Sequence, residues 1–272
     1  MHPILLTPRD LAVSSTLLVL DGVLSVALGL ALHRQLAVAG VRMVIQLLIV
    51  GLVLRAAFAV AAPGLTLGLV VVMVAIAARE VAVRPEQRLI KFGNYEIAIV
   101  AVGLTTAVTA LLALTTAIRP HPWYDPRYAI PLAGIITGNV LNASSLALDA
   151  LLGGVVRERA AIEAQLALGA TIRQAMARLV RQSIRRALLP MINTMSAAGV
   201  VTLPGIMTGQ ILAGLDPVQA VKYQILLMFL LAGGSGLGAA IAVFLGARRL
   251  TDHRQRLRLD RLAAASATPA RR

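Results

Sequence analysis

Three features of the sequence predict an all-α integral membrane protein, a bundle of about seven transmembrane helices. The 272 residues are 58% hydrophobic and only 14% charged, whereas soluble domains carry about 25% charged residues. The apolar runs repeatedly reach the ~20 residues an α-helix needs to cross a bilayer, and they lack the period-2 alternation of a transmembrane barrel. Finally, Lys and Arg gather on alternate connections between those runs, as membrane topology requires.

The expected spans are 11–32, 36–61, 64–83, 95–118, 128–152, 188–213 and 219–247. The first carries Asp21 near its middle. The second carries Arg42 and Gln46 one helical turn apart, with Arg42 read as snorkelling to the inner headgroups. The third closes on Arg79 and Glu80, read as an interfacial pair. After the fourth comes "RPHPWYDPR" (119–127), a rigid turn that sets Trp123 and Tyr124 near the headgroups. The fifth holds Asn139, Asn142, Ser144, Ser145 and Asp149. The sixth contains Pro190 and "LPGIMTGQ" (203–210), where Pro204 lacks an N–H and Gly205 and Gly209 favour a break, so it is read as a kinked crossing. The seventh contains "GGSGLG" (233–238), whose Gly234 and Gly238 have the spacing of a close-packing face. The tail, 253–272, is basic and then Ala-rich, and is expected to fray.

The charges set the topology. With the N-terminus outside, the cytoplasmic segments 33–42, 79–91, 153–186 and 247–272 hold 2, 4, 7 and 8 Lys or Arg, against 5 on the other side. That split places the C-terminus in the cytoplasm and favours a crossing over a re-entrant hairpin at the sixth span. The net charge of +14 is then a matter of topology and anionic lipid rather than nucleic acid. With no Cys there is no disulfide and no thiolate metal site.

The insertion at 153–187 is the one long polar stretch. In "EAQLALGATIRQ" (163–174), an Ala-rich helix bearing Glu158 and Glu163 ends at Gly169. A second helix follows, with Ile172, Ala175, Met176, Leu179, Val180 and Ser183 on one face and Arg173, Arg178, Arg181 and Arg185 largely elsewhere. A basic helix lying on the inner leaflet accounts for the second helix but not for the first. Glu163-Ala164-Gln165, three residues, then Gly169 resembles the cytoplasmic coupling loop of ABC-transporter permeases. Gln165 stands where that pattern has Ala, and "LLP" (188–190) arrives later than in the pattern.

A wider set of blocks, "RMVIQLLIVGLVL" (42–54), "PLAGIITGNVLNASSLALD" (131–149), "LGATIRQA" (168–175), "SIRRALLPMINTM" (183–195) and "VVTLPGIMTGQILAGLDPVQAVKYQILLMF" (200–229), resembles the FetB-type family of iron-export ABC permeases, related to plant permeases implicated in aluminium tolerance. The resemblance covers roughly 36–247. It implies a transmembrane permease domain over 1–252 in the cytoplasmic (inner) membrane, with 153–187 as its coupling-helix insertion. The implied partners are an ATP-binding ABC subunit, which holds ATP and Mg, and a second copy of the permease. No cofactor is expected on this chain, which has no G-x-x-x-x-G-K-[ST] to cradle ATP. The residues expected to meet the ATPase are Glu163, Ala164, Gly169, Ala170, Thr171 and Arg173.

Polar residues inside spans are costly in hydrocarbon and mark partners or pathways. Asp21, Gly138, Asn139, Asn142, Asp149, Asn193, Met207 and Gln210 are the candidates for a translocation path, with interhelical hydrogen bonding as the plainer role for each amide. The four His residues (2, 33, 121 and 253) lie outside the spans or at their ends, so metal ligands are left unassigned. An intramembrane enzyme finds no motif here. A secondary transporter or channel without ATP coupling would share the spans and the intramembrane carboxylates.

Overall fold

The structure is a computed structural model that describes residues 7–60, 62–90, 93–252, 254 and 256–263. Six of the described helices are long and apolar enough to cross a membrane. α1 (Pro8–Ala27) and α2 (His33–Val60) form an antiparallel hairpin whose turn is held by the Leu32 N–H donating to Ser25 Oγ at 2.9 Å. α3 (Pro63–Val83) begins on a proline, whose missing N–H is no loss in a first turn. The next crossing, Gly93–Ile118, alternates α4 (Gly93–Ala98), a π-helical stretch Ile99–Leu104, α5 (Thr105–Leu112) and a second π stretch Ala113–Ile118. α6 (Pro126–Arg157) follows, with Asp125 accepting from the Arg127 N–H at its start. The insertion holds α7 (Arg159–Ala167) and the beginning of α8 (Ile172–Ala197); α9 (Gly205–Leu212) and α10 (Pro217–Arg249) complete the bundle.

The expected sixth span is not one helix. α8 runs from the insertion through Pro190 to Ala197, and the chain then breaks over 198–204. Gly199 adopts φ +84° there, a conformation that favours glycine, and Pro204 caps α9. Leu188 lies against Gly236, while Ile206 and Gln210 share a cavity with Tyr223, Leu226 and Leu227. α8 and α9 therefore follow each other along α10, antiparallel to it. The kink expected near Pro204 is a full interruption.

α6 is the centre. Its buried side packs on α3, α5, α8 and α10. Small residues permit the closest approach: a Cβ on Gly238 would come within 2.7 Å of Val140 Cγ1 and 2.9 Å of Ser144 Oγ, and one on Gly246 within 2.8 Å of Leu151. This is the small-residue packing expected of Gly234 and Gly238.

The start of the tail does not fray. Leu257, Leu259 and Leu262 pack on the core. Backbone bonds from the Ile90 N–H to Arg261 O (2.8 Å) and from the Ala263 N–H to Arg88 O (2.7 Å) tie 256–263 to the 84–90 loop. Burial of three leucines against the core outweighs the basic composition. His2, Lys91, His253 and residues 264–272 lie outside the described residues. The 84–90 loop, the insertion and the folded tail all meet at one end of the bundle, the end that carries most of the basic residues.

Candidate coupling and translocation sites

The insertion is a tight helix–turn–helix. α6 ends at Glu158, and α7 leaves from the same residue. α7 stops by a Schellman closure: the Gly169 N–H donates to Leu166 O and the Ala170 N–H to Gln165 O, both at 3.0 Å, with Gly169 at φ +88°. Thr171 then caps α8. Its N–H donates to Gln174 Oε1 at 2.8 Å, and its Oγ1 accepts from the Gln174 N–H at 3.3 Å, forming a capping box. Ile162 anchors α7 in the core, 2% exposed. The opposite side is open: Glu163, Ala164, Gly169, Thr171 and Arg173 are exposed and Ala170 is half-buried. Glu163 is paired with Arg159 at 2.8 Å, and Leu168, at the tip, is 89% exposed. The structure thus gathers all six expected coupling residues at one protruding end.

The apolar face of α8 has a different role from a leaflet-lying helix. Ile172, Ala175, Met176, Leu179 and Ser183 are buried against α6 and α10, and Leu179 sits over Gly154 so closely that a Cβ there would clash. The amphipathic pattern encodes attachment of the insertion to the bundle. α7 is joined in the chain to α6 and α8 and packs on both.

The expected path residues fall into three groups. Asn139 and Asn142 lie on the least covered stripe of α6, half-buried and exposed respectively, with Asp149 two turns further on the same side. Gly138 stands beside them, with nothing within 4 Å of a Cβ position. Asn139 Nδ2 donates to Ile135 O within its own helix (3.0 Å). Asn142 Oδ1 accepts from Arg84 at 3.0 Å, and Asp149 Oδ1 accepts from the Glu86 N–H at 3.1 Å. The last two are ties to the end of α3. The second group, on α8 and α9, borders the interruption: Asn193 is exposed, Met207 half-buried, and Gln210 Oε1 is buried without a partner. Asp21 stands apart, exposed on α1, whose neighbour is α2. Within one chain it does not face α6.

Two features go beyond what was anticipated. The expected Arg79–Glu80 pair, at 3.6 Å, is joined by Arg42 and Arg84, which reach Glu80 at 3.2 and 3.7 Å and link α2, α3 and α6 through Asn142. The i,i+4 spacing of Glu80 and Arg84 was the available signal. Second, a layer of hydroxyls is buried between α5, α6 and α10: Thr105, Thr106, Thr109, Thr137, Ser144 and Ser235. Thr137 donates to Thr106 at 3.3 Å, while Thr105 Oγ1 and Ser144 Oγ have no partner. Thr105 directly follows a π stretch, a deviation that recurs at functional sites. Among the described residues no three His, Cys, Asp or Glu side chains gather as a metal site.

Comparison with known proteins gives the following relatives. The model of "Uncharacterised protein family (UPF0014)" matches residues 8–251. The chain is 38% identical to the Escherichia coli protein named "Probable iron export permease protein FetB", over 94% of this chain and 97% of that one. It is 40% identical to the "UPF0014 membrane protein slr1647" of Synechocystis, over 75% and 78%. It is 28% identical to "Protein ALUMINUM SENSITIVE 3" of Arabidopsis thaliana, over 86% and 84%. No solved structure matches.

Proposed function

The chain belongs to the UPF0014 family of membrane proteins, and from that premise we propose that it is the membrane-spanning permease subunit of an ATP-driven ABC transporter exporting iron or a related metal ion. The carrying observation is the joint at 158–171. Two helices that carry candidate path residues, α6 and α8, are joined in the chain through the protruding α7 turn and pack on one another. A partner ATPase that grips α7 acts on both at once. ATP and Mg belong to that partner, and the permease works as a pair, with the α6 stripes lining a path between the copies. Asn139 and Asn142 on that stripe are polar surface that lipid would leave unsatisfied. The basic end of the bundle faces the cytoplasm, which puts the N-terminus outside in a seven-crossing count. Binding and hydrolysis of ATP would alternate the side to which the stripe opens.

The test is co-purification with the ATPase and export from cells. Gly169→Val cannot hold φ +88° without strain, and Glu163→Lys reverses an exposed charge. Both should release the ATPase and stop export while the spans stay folded. Gly169→Asn, which tolerates the left-handed region, should retain both. Normal ATPase capture and export in all three would remove the coupling role and leave a secondary transporter, for which the interrupted α8–α9 crossing is the supporting feature.

A further inference from the structure

We propose that the inner mouth of the α6 stripe binds an oxyanion, so that the exported metal leaves as an anionic oxygen-donor complex, with carboxylate or phosphate ligands, rather than as a bare cation. This deepens the export reading and rests on it. The Glu80 centre holds three guanidiniums to one carboxylate within 4 Å. Arg42, Arg79 and Arg84 keep about half or more of their side-chain surface exposed, at 57%, 64% and 47%, while Glu80 is 23% exposed. Each has donors to spare: Arg42 gives one nitrogen to Glu80, and Arg84 gives one to Asn142. The nearby carboxylates offset them only in part. Asp149 accepts the Glu86 N–H and lies seven residues beyond Asn142, about 10 Å along α6. Glu86 and Asp149 add two negative charges while Arg88 adds a positive one, so Arg42, Arg79, Arg84 and Arg88 against Glu80, Glu86 and Asp149 leave a net charge of +1.

Forked donors next to a side-chain amide are the chemistry that recognises carboxylate and phosphate oxygens. They are the wrong chemistry for a naked divalent cation, which wants oxygen or nitrogen lone pairs. A net positive mouth repels such an ion and attracts its anionic chelate. An acidic lipid headgroup has the same chemistry and is the other possible source of the oxyanion.

The experiment is equilibrium binding to the full chain in nanodiscs of zwitterionic lipid, with ferric citrate, iron-free citrate and ferrous chloride as probes. Ferric citrate should bind and ferrous chloride should not. Arg42→Gln and Arg84→Gln should each weaken ferric citrate by about tenfold, the scale of one charge-assisted hydrogen bond. Glu80→Gln, which removes the competing carboxylate, should tighten it, a gain that misfolding does not mimic. Ferrous chloride binding equally to wild type and both Arg variants would overturn the proposal, as would weaker binding in Glu80→Gln. Repeating the measurement with phosphatidylglycerol distinguishes the sources: loss of citrate binding by competition assigns the site to lipid and overturns the substrate claim. If no probe binds while Gly169→Val still releases the ATPase, the oxyanion site fails and the export reading stands. If citrate binds while all coupling variants behave normally, the reverse holds.

Discussion

α2 and α6 are both membrane-length helices, and α2 is the more apolar, yet only 6% of its apolar window is buried against 56% for α6. In water the more apolar helix would be the inner one. In a bilayer the lipid is as apolar as leucine, so nothing drives α2 inward. The centre goes instead to the helix whose small and hydroxyl residues allow close backbone approach and whose polar groups need partners. α6 shows this on two sides. Its buried side meets Gly234 and Gly238 through Val140 and Ser144, and its open side presents Asn139, Asn142 and Asp149.

The contrast breaks most severely at glycine. Gly238→Leu should abolish recovery of folded protein. Gly238→Ala alone should cost about 1–3 kcal/mol, because stiff Val140 cannot yield easily to the new methyl. The matching change on α2, Gly51→Ala, meets nothing within 4 Å and should be neutral or stabilise by up to about 1 kcal/mol. Thermal unfolding of the detergent-purified chain reads both, and equal losses would erase the distinction between the two helices.

The open side of α6 should respond in transport rather than stability. Asn139→Leu, whose amide bonds only its own helix, should cut metal export by about tenfold or more at unchanged protein level, the scale of one lost polar contact to the cargo. Asp149→Leu is expected to do two things, because it also strips the Glu86 N–H of its acceptor. Export assays paired with limited proteolysis of the 84–90 loop should show cleavage for Asp149→Leu and none for Asn139→Leu. Intact export in Asn139→Leu would reduce the stripe to helix–helix contact.

A smaller effect is expected on the buried side. Ser144 Oγ is fully buried without a partner, so Ser144→Ala should leave stability within about 1 kcal/mol of wild type or raise it. A loss above that range in thermal unfolding would mean that the hydroxyl is satisfied by water and belongs to a working polar layer.

The folded start of the tail gives the smallest effect. Asp252 is held below the usual carboxylate range, first by the Arg256 N–H and then by the Arg256 charge; the Arg258 side chain lowers Asp260 likewise. Because the folded values are depressed, their contribution is complete above the ordinary value of 3.8 and is lost as pH falls through the folded values below it. Trypsin cannot be used so far into acid, so pepsin cleavage near Leu257 is the probe. It should rise only below about pH 3.8, and Asp252→Asn should expose the site at any pH where pepsin works.

Much of the bundle was legible in the sequence because lipid imposes a length on apolar runs. The spans, the polar insertion and the close-packing Gly234 and Gly238 follow from that constraint. The interruption at 198–204 was half legible: Pro204 marked a disturbance, but Gly199, which takes the left-handed turn, looked like any glycine in an apolar run. The Arg79–Glu80 pair was legible from adjacency, but the rest of the Glu80 centre was hidden because Arg42 and Glu80 are 38 residues apart, and only packing brings them together. The amphipathic face of α8 was correctly located, but the sequence pattern is the same whether a helix lies on lipid or on its own protein.

If the open side of α6 lines a path, water reaches it, whereas the face of α2 turned away from Arg42 meets only lipid. The absence of Cys makes a direct measurement possible. Asn139→Cys and Val44→Cys are each exposed to a membrane-impermeant thiol reagent in inside-out vesicles containing the complex. Asn139→Cys should label within minutes and Val44→Cys should stay unlabelled, since water reaches the first and lipid surrounds the second. Two silent positions, or labelling of Val44→Cys alone, would contradict the assignment of the α6 stripe to the translocation path.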